Sequence, residues 1–297
     1  MRDAFNTIML ASLLLLATLS VARPVNAQEL ALASVGAIAV DVQDNEILLA
    51  QNAEIVLPIA SLTKVMTALV VVESGEDLDA WLTVEDWAQK TGKNAYSRIR
   101  VTSQARRKDL LRVALMSSEN LAAYNLAEHH PGGVAAFVDA MNAKADDLEM
   151  HDTRFADPTG LAVANQSSAA DLARLVVGAH QHAVLNEFST TRQFTVNFRQ
   201  PRYRLGYGNT NPLTGSARWN VAMTKTGYLT EAGRCLLMVT EMAGRQVGVV
   251  LLNSLGTRSP LGDAGRIRRF LETGAHGTVA AAALAHRTQV LQQLGSD

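Results

Sequence analysis

Hydrophobic and polar positions change rhythm several times along this chain, and each change predicts an element. Ile8–Ala22 runs without a charge behind a short start that carries Arg2 and Asp3. Ala37-Ile38-Ala39-Val40-Asp41-Val42 and Glu46-Ile47-Leu48-Leu49, on either side of Asp44-Asn45, predict a hairpin over 37–49. Ser61–Val72, entered after Pro58, predicts a buried helix. A mostly helical middle follows: Arg107–His129 with a break near Ser117, then Gly133–Leu148, then Ala169–Leu185. Residues 195–198 and 202–205 flank a turn and predict a small hairpin. Strands return at Trp219–Thr226, Arg234–Glu241 and Gln246–Asn253, followed by a helix over Leu261–Glu272 and an Ala-rich tail, Thr278–Leu294, that reads as another helix. Strands at both chain ends with helices between them predict an α+β fold. One antiparallel sheet comes from the two ends, flanked by helices, with a helical subdomain inserted. The division expected is 28–76 with 216–297 for the sheet and its helices, and 77–215 for the mainly helical part.

Composition narrows the function classes. The chain has 297 residues, 48% hydrophobic and 19% charged, which gives ample core and excludes intrinsic disorder. Its 27 basic and 28 acidic residues leave no basic excess for nucleic acid. One cysteine, Cys235, excludes an intramolecular disulfide and a thiolate metal cage. The apolar run at Ile8–Ala22 is followed by Val25-Asn26-Ala27, whose small residues suit a signal-peptidase site before Gln28. Residues 1–27 therefore read as a signal peptide. Its removal takes Arg2, Arg23 and Asp3, leaving 25 basic and 27 acidic residues. An exported protein is expected, with at most peripheral membrane contact.

Three short motifs occur in order: Ser61-Leu62-Thr63-Lys64 (S-x-x-K), Ser118-Glu119-Asn120 (S-x-N) and Lys225-Thr226-Gly227 (K-T-G). Lys90-Thr91-Gly92 is a second K-T-G, but it precedes S-x-N and follows Trp87 in a polar loop, so it is rejected. Class A β-lactamases and penicillin-binding proteins share the ordered trio. On a helix, residues i and i+3 share a face, so the Lys64 amine can reach the Ser61 hydroxyl. Serine becomes a good nucleophile only when a base takes its proton. A buried lysine near another cation, here Lys225, can serve at neutral pH. Backbone N–H groups at the start of the Ser61 helix suit an oxyanion. Ser118 would pass a proton between Lys64 and the leaving group, Asn120 would hold a substrate amide, and Lys225 with Thr226 would grip a carboxylate.

At these residues the chain resembles the serine D-alanyl-D-alanine peptidases, the low-molecular-mass penicillin-binding proteins. More narrowly it resembles their endopeptidase subgroup (the penicillin-binding protein 7 type). Supporting stretches are Tyr96-Ser97-Arg98, residues 115–120, Met141–Ala145, Thr153–Leu161 and Thr224–Tyr228. The resemblance implies a penicillin-binding, β-lactamase-like fold with the site between sheet and helical region. It implies acylation of Ser61, Lys64 as base, and Ser118 and Asn120 on the opposite wall. Lys225, Thr226 and Gly227 would contact substrate, and the backbone N–H groups of Ser61 and Tyr228 would form the oxyanion hole. No metal or cofactor is implied. Peptidoglycan would be the substrate, β-lactams would be covalent inhibitors, and the periplasm would be the location. The resemblance does not extend to the β-rich C-terminal domain and anchoring tail of the related carboxypeptidases.

Rival readings are weaker. A class A β-lactamase needs Glu-x-x-x-Asn between S-x-N and K-T-G; Glu128, Glu149 and Glu187 are the glutamates there, and none has Asn four residues on. A wall-binding protein without turnover would not need every motif position filled. His129-His130 and His180-x-His182 lack the helical spacing with a carboxylate of a zinc hydrolase. Carboxypeptidase action, releasing D-alanine, shares the same motifs and stays open beside endopeptidase action.

Overall fold

The computed structural model describes residues 30–87 and 96–295. The segment read as a signal peptide and the rejected Lys90-Thr91-Gly92 copy lie outside the described residues. In chain order the elements begin β1 (Gly36–Asp41), β2 (Ile47–Gln51), β3 (Leu57–Pro58), α1 (Thr63–Glu73), β4 (Trp81–Thr83) and β5 (Gln104–Arg106). Then come α2 (Arg107–Met116), α3 (Asn120–Glu128), α4 (Gly133–Asp147), β6 (Gln166–Ser167), α5 (Ala169–His180) and α6 (Ala183–Thr190). The chain closes with β7 (Gln193–Phe198), β8 (Tyr203–Gly208), β9 (Val221–Leu229), β10 (Gly233–Met242), β11 (Arg245–Ser254), α7 (Ser259–Thr273) and α8 (Ala281–Leu294).

The two chain ends make one antiparallel sheet, in the order β2-β1-β11-β10-β9, as the strand pattern at both termini predicts. Period-two alternation divides its side chains between two cores. Ile38, Val40, Leu237, Val239, Val250 and Leu252 face α1, α5 and the other middle helices. Ala37, Ala39, Leu236, Met238, Val249 and Leu251 face Ala264 and Ile267 of α7. Asp263, fully buried on α7, accepts the N–H groups of Ala33 and Ser34 and so ties α7 to the approach of β1. Helix α5, from within the 77–215 stretch, packs on β1 and β11. The tail is helical, and its Arg287 donates to the Leu32 carbonyl and to Gln51.

Some elements differ from the sequence pattern. The helix expected over Ala169–Leu185 is two, because Asn186 donates to the His180 carbonyl and its Oδ1 meets the His180 ring, turning the chain. The pairs β3–β6 and β4–β5 were not expected; strands of two or three residues carry too little alternation to show. The expected break near Ser117 is real. Ser118 holds φ 59°, and Glu119 caps α3 by accepting the Ala122 N–H at 2.5 Å.

Candidate active site

Ser61 does not sit on the α-helix proper. It is the middle residue of a single 3₁₀ turn, Ala60–Leu62, that feeds into α1 at Thr63. The one-turn relation to Lys64 survives this, since i and i+3 lie on one side in either geometry. Lys64 Nζ stands 3.0 Å from Ser61 Oγ, 2.7 Å from Asn120 Oδ1 and 2.5 Å from the Thr159 carbonyl. Its side chain is 1% exposed. A neutral amine fits these three partners without a gap: two N–H bonds go to the two carbonyl-type oxygens, and the lone pair is left to accept the Ser61 hydroxyl. Burial brings the Lys64 ammonium down from 10.5 to about 8, against the opposing pull of Asp157 and Glu119.

The cation–cation effect expected from Lys225 runs the other way. Lys225 itself is held well below its ordinary value, first by burial and then by the charge of Lys64. Lys225 is 1% exposed and its Nζ donates to the Thr226 carbonyl, so it stands behind the cleft wall and does not line it. Thr226 and Gly227 do line it, and the Thr226 hydroxyl bonds Thr210 Oγ1 at 2.7 Å. The cleft encloses about 480 Å³, and Ser61, Ser118, Asn120 and Tyr228 share its lining. Among the described residues Ser118 makes no hydrogen bond to Lys64, although it faces the same space as Ser61. The Cys235 thiol, 2% exposed on β10, is pushed up to about 12 by burial.

Two glycines shape the backbone around Ser61. Gly160 has φ +81°, and a Cβ there would lie 2.0 Å from the Ala60 carbonyl oxygen. Gly227 lets β9 lie against the turn: a Cβ there would meet the Ile59 carbonyl oxygen at 3.1 Å and Ser61 N at 3.3 Å. Ala60 takes φ 48°, a strained value for a residue with a side chain. Asp157 holds the 157–165 loop in place, accepting from the N–H groups of Thr159, Gly160 and Ala162. Sequence reasoning missed this support, the Thr159 carbonyl above all. The turn-like run Asp157-Pro158-Thr159-Gly160 was the available signal.

The histidine groups lie apart from this cleft. His129 Nε2 meets the Thr83 carbonyl, and His180 bridges Asn186 and Gln246.

A serine hydroxyl against a buried amine, an S-x-N turn facing it and a K-T-G edge strand closing the side define a serine hydrolase of the penicillin-binding fold. The sequence profile of the peptidase S11 family, described as D-alanyl-D-alanine carboxypeptidase, matches residues 23–256. The chain belongs to that family. It is 46% identical over 258 residues to a D-alanyl-D-alanine endopeptidase of Pseudomonas aeruginosa, spanning 87% of this chain and 83% of the relative. It is 42% identical over 265 residues to the D-alanyl-D-alanine endopeptidase of Escherichia coli K12, spanning 89% and 86%. Among solved structures, the Streptomyces K15 DD-transpeptidase superposes with a TM-score of 0.74 at 25% identity, covering 82% of this chain and 98% of that one. Penicillin-binding protein D2 of Listeria monocytogenes, solved in a cefotaxime-bound form, gives 0.69 at 28% identity, covering 80% and 97%.

Proposed function

We propose that the protein is a periplasmic serine DD-peptidase that cuts D-alanyl cross-links in peptidoglycan through an acyl-enzyme on Ser61. The observation that carries this is the Lys64 amine, buried and 3.0 Å from the Ser61 hydroxyl, with two carbonyl oxygens to occupy its N–H groups. Neutral Lys64 takes the Ser61 proton as Oγ attacks the D-alanyl carbonyl. The backbone N–H groups of Ser61 and Tyr228 receive the oxyanion. Ser118 gives its hydroxyl proton to the leaving amine and takes the one Lys64 holds, so the scissile C–N bond breaks, the acyl group stays on Ser61 and Lys64 is neutral again. Water, activated by Lys64, then releases it. Asn120 orients Lys64 through its Oδ1 and would meet a substrate carbonyl from the same wall of the cleft. Thr226 meets the substrate's carboxylate, with the charge of Lys225 behind it.

The endopeptidase form of this reading is supported by the two relatives of that name at 46% and 42% identity. The family's description supports carboxypeptidase action as the second reading. Covalent capture by β-lactams is supported by the site chemistry and by the cefotaxime-bound relative. Export is supported by the Ile8–Ala22 run with Val25-Asn26-Ala27 behind it, and no described helix is long and apolar enough to cross a membrane. In this reading the sheet region (28–76 and 216–297) and the helical region (77–215) supply the two walls of the cleft. Incubation with cross-linked muropeptide dimers and with monomeric pentapeptide tests the choice: dimer cleavage with little D-alanine release is expected. The reverse product pattern favours the carboxypeptidase, and inertness toward both overturns the enzyme reading.

A further inference from the structure

The chain's acids and bases are nearly balanced overall yet segregated locally. Between Glu187 and Glu231 there is no acidic residue, while Arg192, Arg199, Arg202, Arg204, Arg218 and Lys225 all fall there. The β7–β8 hairpin carries three of these, and it lies beside the stretch that holds Arg98, Arg100, Arg106 and Lys108. The two segments are joined by paired backbone bonds between Gln104 and Arg199 and by Arg98 donating to the Gly206 carbonyl at 2.7 Å. Asp79 neutralises Arg106 and Lys108, and Asp109 lies near the same pair. Arg98, Arg100, Arg199, Arg202 and Arg204 have no carboxylate within ion-pair distance among the described residues.

Several of these arginines are laid on aromatic rings. Arg199 lies 3.8 Å from the Trp81 ring centre, Arg100 4.9 Å from Tyr203 and Arg98 5.0 Å from Tyr207. Tyr203 in turn stacks on Phe198 at 4.4 Å. A guanidinium resting on a ring keeps its N–H edge available for a carboxylate, with part of its ordering entropy already lost in the free protein. Between them Trp81, Phe198, Arg199, Arg202, Tyr203 and Arg204 line a groove of about 580 Å³. β8 links this face to the cleft: it starts at Tyr203 in the groove and ends at Gly208, two residues before Thr210 of the cleft lining. Arg98 also lies near Glu119 of the S-x-N turn.

We infer that this arginine–aromatic face is a docking surface for the carboxylate-bearing stem peptides of the peptidoglycan polymer, holding further repeats while one cross-link occupies the cleft. The inference rests on the peptidase reading, because the link along β8 to that site is what selects this anion over others. A polymer that repeats its carboxylates gains from several weak ion pairs at once, and each pair weakens with salt. A small soluble fragment that fills only the cleft gains nothing from them.

The test uses the whole mature protein and an R100Q/R202Q/R204Q variant, all three residues being exposed and outside the cleft. Co-sedimentation with purified sacculi, cleavage of soluble cross-linked dimer and thermal melting are measured for both. Expected is salt-sensitive sacculus binding by the parent and a loss of about tenfold or more in the variant. Dimer cleavage should stay within about twofold and the melting temperature should be unchanged. Equal sacculus binding by both proteins overturns the inference, as does a parallel fall in dimer cleavage. So does a variant that keeps its sacculus binding but loses binding to vesicles of phosphatidylglycerol and phosphatidylethanolamine, which would make the face a lipid contact. A parent that binds sacculi in this way yet leaves dimers and pentapeptide intact refutes the peptidase reading alone.

Discussion

Acidifying the medium should switch off acylation in step with protonation of Lys64. The amine is neutral above about 8 because burial disfavours its charged form. With that value, about one tenth of the molecules carry a neutral Lys64 at pH 7 and about one hundredth at pH 6. The second-order rate of acylation by a fluorescent penicillin, followed by stopped flow between pH 5.5 and 9.5, should fall about tenfold per unit below pH 8 and level off above it. Folding is linked to the same proton. The unfolded lysine titrates at 10.5 and the folded one near 8, so between these values the unfolded chain binds more protons. Stability should therefore rise with pH across that window, by a total on the order of 3 kcal/mol from this group. Below pH 8 the full burial cost is present. In Lys64→Met the rise over that window should shrink when urea unfolding is compared with the parent. A flat acylation rate from pH 6 to 8 in a folded parent would refute the argument that a neutral Lys64 is the base.

Gly160→Ala should cost on the order of 2–4 kcal/mol in urea unfolding and slow acylation, since the new methyl meets the Ala60 carbonyl at 2.0 Å from a φ of +81°. An unchanged unfolding midpoint would show that this loop does not hold the Ser61 turn. Cys235→Ala should cost about 1 kcal/mol and leave hydrolysis within a few-fold. The parent thiol, pushed up to about 12 and 2% exposed, should resist iodoacetamide at pH 8; rapid alkylation of folded protein would contradict its burial. Lys225→Ala should raise KM as well as slow acylation. A fall in kcat alone would remove it from carboxylate recognition.

The parts of the site that sequence made legible are those encoded by spacing. Ser61 and Lys64 are one turn apart whether that turn is α or 3₁₀, and a break between helices had to fall where Ser118 and Glu119 stand. The sheet was legible because β9, β10 and β11 are mostly apolar runs of eight residues or more joined by Gly-bearing turns. What stayed hidden depends on contacts that side-chain identity does not announce. The Thr159 carbonyl that holds Lys64 is backbone, brought in by a loop 95 positions away. The source of the lowered Lys64 value is burial, which depends on the packed whole, whereas a neighbouring lysine is visible in a motif. The cut between α5 and α6 is made by one asparagine reaching back to His180, a bond that the 3.6-residue rhythm overrides on paper. The far lining of the cleft, with Arg234 on β10 and Arg258 before α7, joins segments whose approach only the folded sheet reveals.

Ser61 Oγ is the atom that should become acylated. The direct measurement is peptide mapping by mass spectrometry after the folded mature protein has reacted with benzylpenicillin. One adduct is expected, on the peptide holding Ser61, and none in a folded Ser61→Ala protein treated in the same way. An adduct on any other residue, or full labelling of Ser61→Ala, would contradict that assignment.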